Sequence, residues 1–177
     1  SYYLAGRPYL LARENASYRR ALDGRVLEKR PVEDGQPRLR RLLSGEDAAA
    51  VLEAARREAE ALAERVSSGS LVAPEARDEA LGRLRRIVTM DARALEEDAA
   101  HFLEIYRPVG MLPPDRYLSL VLQATEGCSW NACTFCELAR GVQFRVKTQP
   151  EFEAHVAAVR EYFGASIALR RSLFLGD

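Results

Sequence analysis

All three cysteines of this 177-residue chain fall between Cys128 and Cys136. A secreted domain held together by disulfides normally carries an even number of cysteines spread along its sequence. A tight group of three instead indicates a metal or iron–sulfur site in a reducing compartment, so we expect a cytoplasmic protein. The first residues, SYYLAGRPYLLAREN, lack the basic region and the cleavage site of a secretory signal.

The residues on either side of the cysteines have the pattern of a strand, a helix and a second strand. Segment 118–123 alternates leucine with other side chains, as a strand does. Thr148 and Glu151 can form a capping box that begins a helix, and Gly164 can end it. Segment 171–175, RSLFL, is typical of another strand. Because a helix separates the two strands, we expect them to be parallel and joined by a right-handed crossover.

The domain organisation follows from changes in pattern along the chain. Residues 1–43 look irregular, with an Asp-Gly pair that favours a β-hairpin. Residues 44–107 have helical periodicity, and residues 108–116, PVGMLPPDR, have the composition of a linker. Residues 117–177 contain the strand–helix–strand pattern. Helices are predicted to begin at Ser44, Pro74 and Asp91.

The charge balance limits the partners that this chain is expected to have. It has 26 basic and 26 acidic side chains, so the formal net charge is zero. A neutral chain gives no overall reason to expect nucleic acid binding, although local charged patches remain compatible with it. No apolar run reaches the roughly 18 residues that a membrane span needs, so we expect no membrane insertion.

The spacing C-x4-C-x2-C decides which metal sites are reasonable. Three thiolates, from Cys128, Cys133 and Cys136, can bind three irons of a 4Fe-4S cluster and leave the fourth iron open for chemistry. The alternative is zinc, which in a structural site takes four Cys or His ligands. A fourth zinc ligand would have to be His101 or His155, and each has the position of an ordinary helix residue.

The segment TEGCSWNACTFC, with its flanking strand and helix, resembles the start of a radical S-adenosylmethionine (SAM) enzyme. The common motif of that family is C-x3-C-x-aromatic-C, and this chain has one additional residue between its first two cysteines. The resemblance covers about residues 117–177. It implies an α/β fold, with one βαβ unit at the start of a partial (βα) barrel and a mainly α-helical region before it. A barrel needs further βα units, so we expect this chain to be part of a longer enzyme and inactive alone.

The resemblance also implies roles for individual residues. Phe135 occupies the aromatic position that contacts the SAM adenine in the family, although packing under the loop would also explain it. Gly176 and Asp177 stand where the family has a Gly-Gly-Glu-like turn that receives the SAM amino group. The implied cluster ligands are Cys128, Cys133 and Cys136.

Other polar and aromatic residues near the cysteines are weaker candidates. Trp130 and Asn131 would shield the cluster and donate hydrogen bonds to its sulfurs, with simple packing as the alternative for Trp130. Basic side chains after the cluster would meet the cluster or the SAM carboxylate, with surface charge as the alternative. These basic candidates are Arg140, Arg145 and Lys147. Gln123, Thr125 and Glu126 are candidates for another reason, because they lie at the carboxyl end of the first strand, where βα barrels place their chemistry.

The implied activity is reductive cleavage of SAM. The reduced cluster would pass one electron to SAM, and the resulting 5′-deoxyadenosyl radical would remove a hydrogen atom from an unknown substrate. The electron would come from a donor such as flavodoxin or ferredoxin. The cobalamin-binding pattern D-x-H-x-x-G is absent from the sequence, which disfavours a cobalamin-dependent subtype. The alternative function is a non-catalytic zinc- or cluster-binding module for protein interaction.

Overall fold

The chain is a mixed α/β protein that divides into two compact units, Ser1–Ala100 and His101–Asp177, here called the N-terminal and C-terminal units. Among the described residues it has four α-helices and eight β-strands, and the partial barrel stays a prediction. None of these helices is long and apolar enough to cross a membrane. The computed structural model describes residues 1–32, 38–69, 71, 73–108, 112–116, 119–135, 137, 140–170 and 172–176.

A four-stranded antiparallel sheet forms the first part of the N-terminal unit. Its strands are β1 (Leu10–Arg13), β2 (Ala16–Arg20), β3 (Val26–Arg30) and β4 (Leu39–Leu42), paired in that order. Residues 1–43 were expected to be irregular with one possible hairpin. That hairpin joins β2 to β3, and the other pairings correct the expectation of an irregular segment, because most of it forms an antiparallel sheet. Arginine-rich strands only four or five residues long leave little apolar alternation to detect.

Three helices complete the N-terminal unit and begin where the sequence predicts. They are α1 (Gly45–Ser67), α2 (Pro74–Val88) and α3 (Ala92–Ile105), of which α3 continues into the C-terminal unit. The Ser44 hydroxyl accepts a hydrogen bond from a backbone N–H of the first turn of α1 at 3.2 Å. The Asp91 carboxylate does the same for α3 at 2.9 Å, so both N-caps are confirmed.

Two apolar clusters bury the inner faces of the N-terminal unit. One lies between the sheet and α1, where Tyr18 and Val26 pack against Leu52. The other lies between α1 and α2 and is centred on Val66 and Leu84. Each buried side chain of this size contributes on the order of 2 kcal/mol to folding, so both clusters stabilise the unit.

The C-terminal unit contains the predicted βαβ arrangement. Its elements are β5 (Leu120–Gln123), β6 (Thr125–Glu126), β7 (Arg145–Val146), α4 (Gln149–Phe163) and β8 (Leu173–Gly176). β5 and β8 pair in parallel, which confirms the expected strand direction. β6 and β7 form a small antiparallel pair that the sequence did not predict. The start of each predicted strand, at Leu118 and Arg171, lies outside the described residues.

Helix α4 covers the sheet of the C-terminal unit. The predicted capping box of Thr148 and Glu151 is present, and the hydrogen bond from the Thr148 backbone helps to lower the pKa of Glu151 to about 2. Gly164 ends the helix with φ +49°, as expected. Val159 is fully buried against Leu120 of β5, so α4 and the sheet share one core.

The predicted linker does not coincide with the boundary between the two units. Within residues 108–116, Pro114–Arg116 form a short 3-10 turn, while residues 109–111 lie outside the described residues. The boundary instead falls between Ala100 and His101, inside α3. The boundary therefore lies within residues that the sequence predicts to be helical, and not within the predicted linker.

Candidate functional site

The cysteines lie in residues 127–144, here called the cysteine loop, which leaves and returns at the carboxyl end of β5. The antiparallel pair β6–β7 closes the base of this loop, with Thr125 opposite Val146 and Glu126 opposite Arg145. A long loop closed by a short ladder keeps its two ends together. The ladder therefore places the cysteine loop at the sheet edge where ligands bind in α/β proteins.

Ion pairs reinforce the base of the cysteine loop. Arg145 donates two hydrogen bonds to the Glu126 carboxylate, at 2.9 and 3.1 Å, and one to Glu151 at 2.7 Å. Lys147 Nζ lies 3.0 Å from the same Glu126 carboxylate, which is 14% exposed. The hydrogen bonds from Arg145 are the main reason that the pKa of Glu126 is lowered. Both strands of the ladder are therefore cross-linked two residues before the first cysteine.

Lys147 is buried, so the alternative that it is an ordinary surface charge does not describe it. Its side chain is 7% exposed, and Glu126 is its one ionic partner among the described residues. A buried ammonium group is costly unless an opposite charge compensates it. Arg145, by contrast, is 46% exposed and fits the surface alternative better.

The backbone before the first cysteine requires glycine. Gly127 has φ +71°, and a Cβ atom built there would lie 2.9 Å from the Val142 carbonyl oxygen on the returning side of the loop. Asn131 also has a left-handed backbone, with φ +43°, and its backbone N–H donates to Cys128 Sγ at 3.5 Å. Its side-chain amide donates to the same Val142 carbonyl at 3.4 Å. These contacts fold the loop back on itself and direct a backbone donor at the first cysteine sulfur.

Two of the three predicted ligands can be located. Cys128 and Cys133 are free thiols of intermediate exposure in the same loop, and Cys136 lies outside the described residues. No group of three potential metal ligands occurs in the part of the chain that the structure describes, which holds only two of the three cysteines. Iron–sulfur clusters are bound by cysteine thiolates that lie close together in sequence on one loop. Cys128 and Cys133 therefore fit the ligand set of such a cluster.

The histidines bear on the zinc alternative. His155 is buried, and its Nε2 accepts a hydrogen bond from the Gln123 backbone N–H at 3.0 Å. A further hydrogen bond joins its ring to the Ile105 backbone, while burial and then the Lys147 charge lower its pKa. Both ring nitrogens are therefore engaged, which removes His155 as a fourth zinc ligand. His101 is exposed and meets the Tyr162 ring edge-on at 5.6 Å.

The aromatic residues of the cysteine loop face solvent. Phe135 is 85% exposed and Trp130 is 73% exposed, so packing under the loop does not explain either of them. Phe135 is therefore accessible for the adenine contact that the resemblance implies.

The end of β8 lies beside the end of β5. Gly176 pairs with Gln123, and its carbonyl oxygen accepts a hydrogen bond from the Ala124 backbone at 3.1 Å. A Cβ atom at position 176 would lie 2.5 Å from the ring of Phe174, so glycine keeps this strand end compact. Asp177, the other residue predicted to receive the SAM amino group, lies outside the described residues.

The remaining polar candidates have structural partners. Gln123 is fully buried, and its side-chain amide makes two hydrogen bonds, both of 3.1 Å, with the backbone of Arg107. It holds the chain after α3 against β5 and does not face a ligand. Arg140 is exposed and pairs with Glu137 at 2.8 Å, consistent with the surface alternative.

Sequence reasoning missed the ionic network at the base of the loop. Glu126 and Arg145 are separated by 19 residues, so no helical or strand periodicity relates them. The one local signal was the glycine directly before Cys128, which marks a turn that other residues would strain.

Comparisons of this chain with known proteins identified no relative. No protein-family model, no curated protein and no solved structure matches the chain. Its function is therefore inferred from the residues of the cysteine loop and from where the fold places them.

Proposed function

We propose that this chain is part of a radical SAM enzyme and binds a 4Fe-4S cluster through Cys128, Cys133 and Cys136. The observation that carries the proposal is the position of the cysteine loop at the carboxyl end of β5, beside the end of the parallel strand β8. Ligand sites of βα proteins lie at this edge, because the loops that follow parallel strands converge there. A cysteine motif of this spacing at this edge supports cluster chemistry over a structural zinc site.

The number of cysteines supports an open cluster. Three thiolates bind three of the four irons in a cube. Because the ring of His155 is already hydrogen-bonded, His101 of α3 is the one other histidine in the sequence that could supply a fourth ligand. An iron without a protein ligand can bind the amino and carboxylate groups of SAM. When bound, such a cluster would supply the one electron needed for reductive cleavage of SAM to methionine and a 5′-deoxyadenosyl radical.

The residues of the chain have separate parts in this chemistry. The Asn131 backbone N–H donates to Cys128 Sγ, and a hydrogen bond to a ligand sulfur raises the reduction potential of a cluster. Phe135, exposed on the loop, supplies an apolar surface for the adenine. Gly176 ends β8 beside the end of β5, and it would receive the SAM amino group together with Asp177, the next residue in the sequence. The electron enters from a small donor protein such as flavodoxin or ferredoxin.

Anaerobic reconstitution with iron and sulfide tests the proposal. The chain should turn brown and bind about four irons and four sulfides. Cys128→Ser, Cys133→Ser and Cys136→Ser should each lower iron binding strongly, because each removes one of three thiolates. Ser129→Ala, a change at an exposed position of the same loop, is the matched control and should bind as much iron as the original chain.

Metal analysis of the same samples separates the two functions. A colourless protein with one tightly bound zinc and no iron would support the structural module and contradict the cluster. Iron uptake that is unaffected by all three cysteine substitutions would show adventitious iron and would also contradict the proposal.

A further inference from the structure

The sheet of the N-terminal unit has two chemically different faces. Ala16, Tyr18 and Val26 are buried on the inner face against α1. Residues directly opposite each other on antiparallel strands point to the same face, so the register defines the outer face as well. The outer face consists of Leu10, Ala12, Ser17, Arg19, Leu27, Lys29, Arg40 and Leu42.

The outer face concentrates positive charge. It carries Arg19, Lys29 and Arg40, and none of its eight strand positions is acidic. Lys29 lies directly opposite Arg40, although like charges in this arrangement destabilise a sheet. No ion pair involves any of the three within the described ranges, which omit residues 33–37.

The inner face shows that this sheet does neutralise cations elsewhere. There the buried Glu28 carboxylate accepts hydrogen bonds from both Arg30 and Arg41. The contrast leaves the three cations of the outer face available to an anionic group outside the chain. In an otherwise neutral protein, such a patch complements an anionic partner.

A groove at one end of the outer face indicates which anion. It has a volume of about 340 Å³, and its lining includes Tyr3, Tyr9, Arg19, Leu27 and Leu42. The two tyrosine rings meet edge-on with their centroids 5.2 Å apart, and the Arg19 guanidinium lies 5.4 Å from the Tyr9 centroid. Aromatic rings, a guanidinium plane and aliphatic walls are the surfaces on which nucleic acid bases stack.

We propose that the outer face of this sheet binds single-stranded nucleic acid. A base occupies the groove against Tyr9 and Arg19, and the adjoining phosphates lie on Lys29 and Arg40. An acidic peptide would use the cations but would leave the aromatic groove without a matching group. The inference is independent of the cysteine loop, because every residue that carries it belongs to the N-terminal unit.

Fluorescence anisotropy of a labelled oligouridylate about 12 nucleotides long tests the proposal with the whole chain. With three cations in contact, the logarithm of the association constant should fall with the logarithm of salt concentration with a slope of about −2. Lys29→Gln/Arg40→Gln should reduce that slope to about −0.7 and weaken binding about tenfold at low salt.

The matched control removes the same charge elsewhere. Arg83→Gln/Arg93→Gln changes two exposed helix cations, which are 65% and 86% exposed, and should leave binding unchanged. An equal loss in this control, or no binding by the original chain, would overturn the proposal. Binding of polyglutamate as tight as that of the oligonucleotide would show an acidic-peptide site and would overturn it too.

Two further measurements keep the result independent of how well the variants fold. Tyr9→Leu should weaken oligouridylate binding about tenfold but leave inorganic polyphosphate binding unchanged, because polyphosphate has no base to stack. Hydrogen exchange of the original chain should show oligouridylate protecting amides of β2, β3 and β4. Protection confined to other segments, or equal losses for both ligands in Tyr9→Leu, would contradict the assigned surface.

Discussion

Glu28 in the N-terminal unit and Glu126 in the C-terminal unit are both carboxylates held between two basic side chains. Glu28 is 2% exposed, but its partners Arg30 and Arg41 are 46% and 53% exposed. Around Glu126 the burial is distributed differently, because its partner Lys147 is itself only 7% exposed. In each case hydrogen bonds from an arginine are the main reason that the pKa of the carboxylate is lowered.

The difference lies in what each carboxylate compensates. Water can solvate the two arginines around Glu28 if the carboxylate is lost, so Glu28 mainly satisfies hydrogen bonds within a sheet. Glu126 compensates a buried ammonium group and lies two residues before Cys128. The first network stabilises a sheet, whereas the second fixes the base of the loop that carries the cysteines.

Glu126→Gln should have the largest effect on stability. It leaves the buried Lys147 charge without a counterion, and breaking a buried pair in this way costs about 3 kcal/mol. The loop base should loosen at the same time, so we expect a chelator to remove iron from the reconstituted chain about tenfold faster. Urea unfolding, monitored by hydrogen exchange of amides in β5 and α4, measures the loss of stability. An iron release rate equal to that of the original chain would contradict the claim that the ionic network stabilises the cysteine site.

Glu28→Gln should have a smaller effect on stability and none on iron. It removes charge-assisted hydrogen bonds to partners that stay solvated, which costs about 2 kcal/mol. The unfolding of the N-terminal unit measures this cost, with the exposed pair member Glu79→Gln as a control that should change little. Faster iron release in Glu28→Gln would contradict the claim that only the Glu126 network supports the cysteine loop.

A double substitution sharpens the same distinction. Glu126→Gln/Lys147→Met removes the buried charge together with its partner, and apolar replacement of a buried pair is often nearly neutral. We therefore expect it to recover about 2 kcal/mol of the loss caused by Glu126→Gln. Glu28→Gln/Arg41→Met should recover nothing, because Arg41 is already solvated. Equal recovery in both double variants, measured by urea unfolding, would contradict the role assigned to Lys147 burial.

The pH dependence of stability should be the smallest effect. Burial and the Lys147 charge lower the pKa of His155 below its usual 6.5, while Glu126 acts in the opposite direction. Between pH 6.5 and the lowered pKa of the folded chain, the unfolded chain therefore binds more protons, so stability declines as the pH falls from about 6.5 through that lowered pKa. The loss is at most about 1.4 kcal/mol per pH unit. His155→Gln should flatten this slope in urea unfolding measured at a series of pH values.

Local signals made the helices and the βαβ unit predictable from sequence. The caps at Ser44, Asp91 and Thr148 each depend on contacts within three residues, and all three occur in the structure. The helix between two strands likewise implied parallel pairing, which the structure has. The four-stranded sheet was missed because its short strands place charged residues such as Arg20 and Glu28 on the buried face.

The cysteine spacing was visible in the sequence, but its support was not. The sequence shows Lys147 only as one of several cations after the cysteines, because nothing in its neighbours indicates that it is buried. Its burial depends on the β6–β7 ladder, which brings it to Glu126 across the whole loop. Such contacts can be inferred only after the strands are paired, and no local pattern predicts a two-residue ladder.

Electron paramagnetic resonance of the reconstituted, reduced chain, recorded with and without SAM, tests the account most directly. An iron without a protein ligand would bind the amino and carboxylate groups of SAM, so the cluster signal should change its g values when SAM is added. ATP, which has the adenosine but not those two groups, is the control and should leave the g values unchanged. A cluster signal that is identical in the presence and absence of SAM would contradict the open iron, and with it the assignment to radical SAM chemistry.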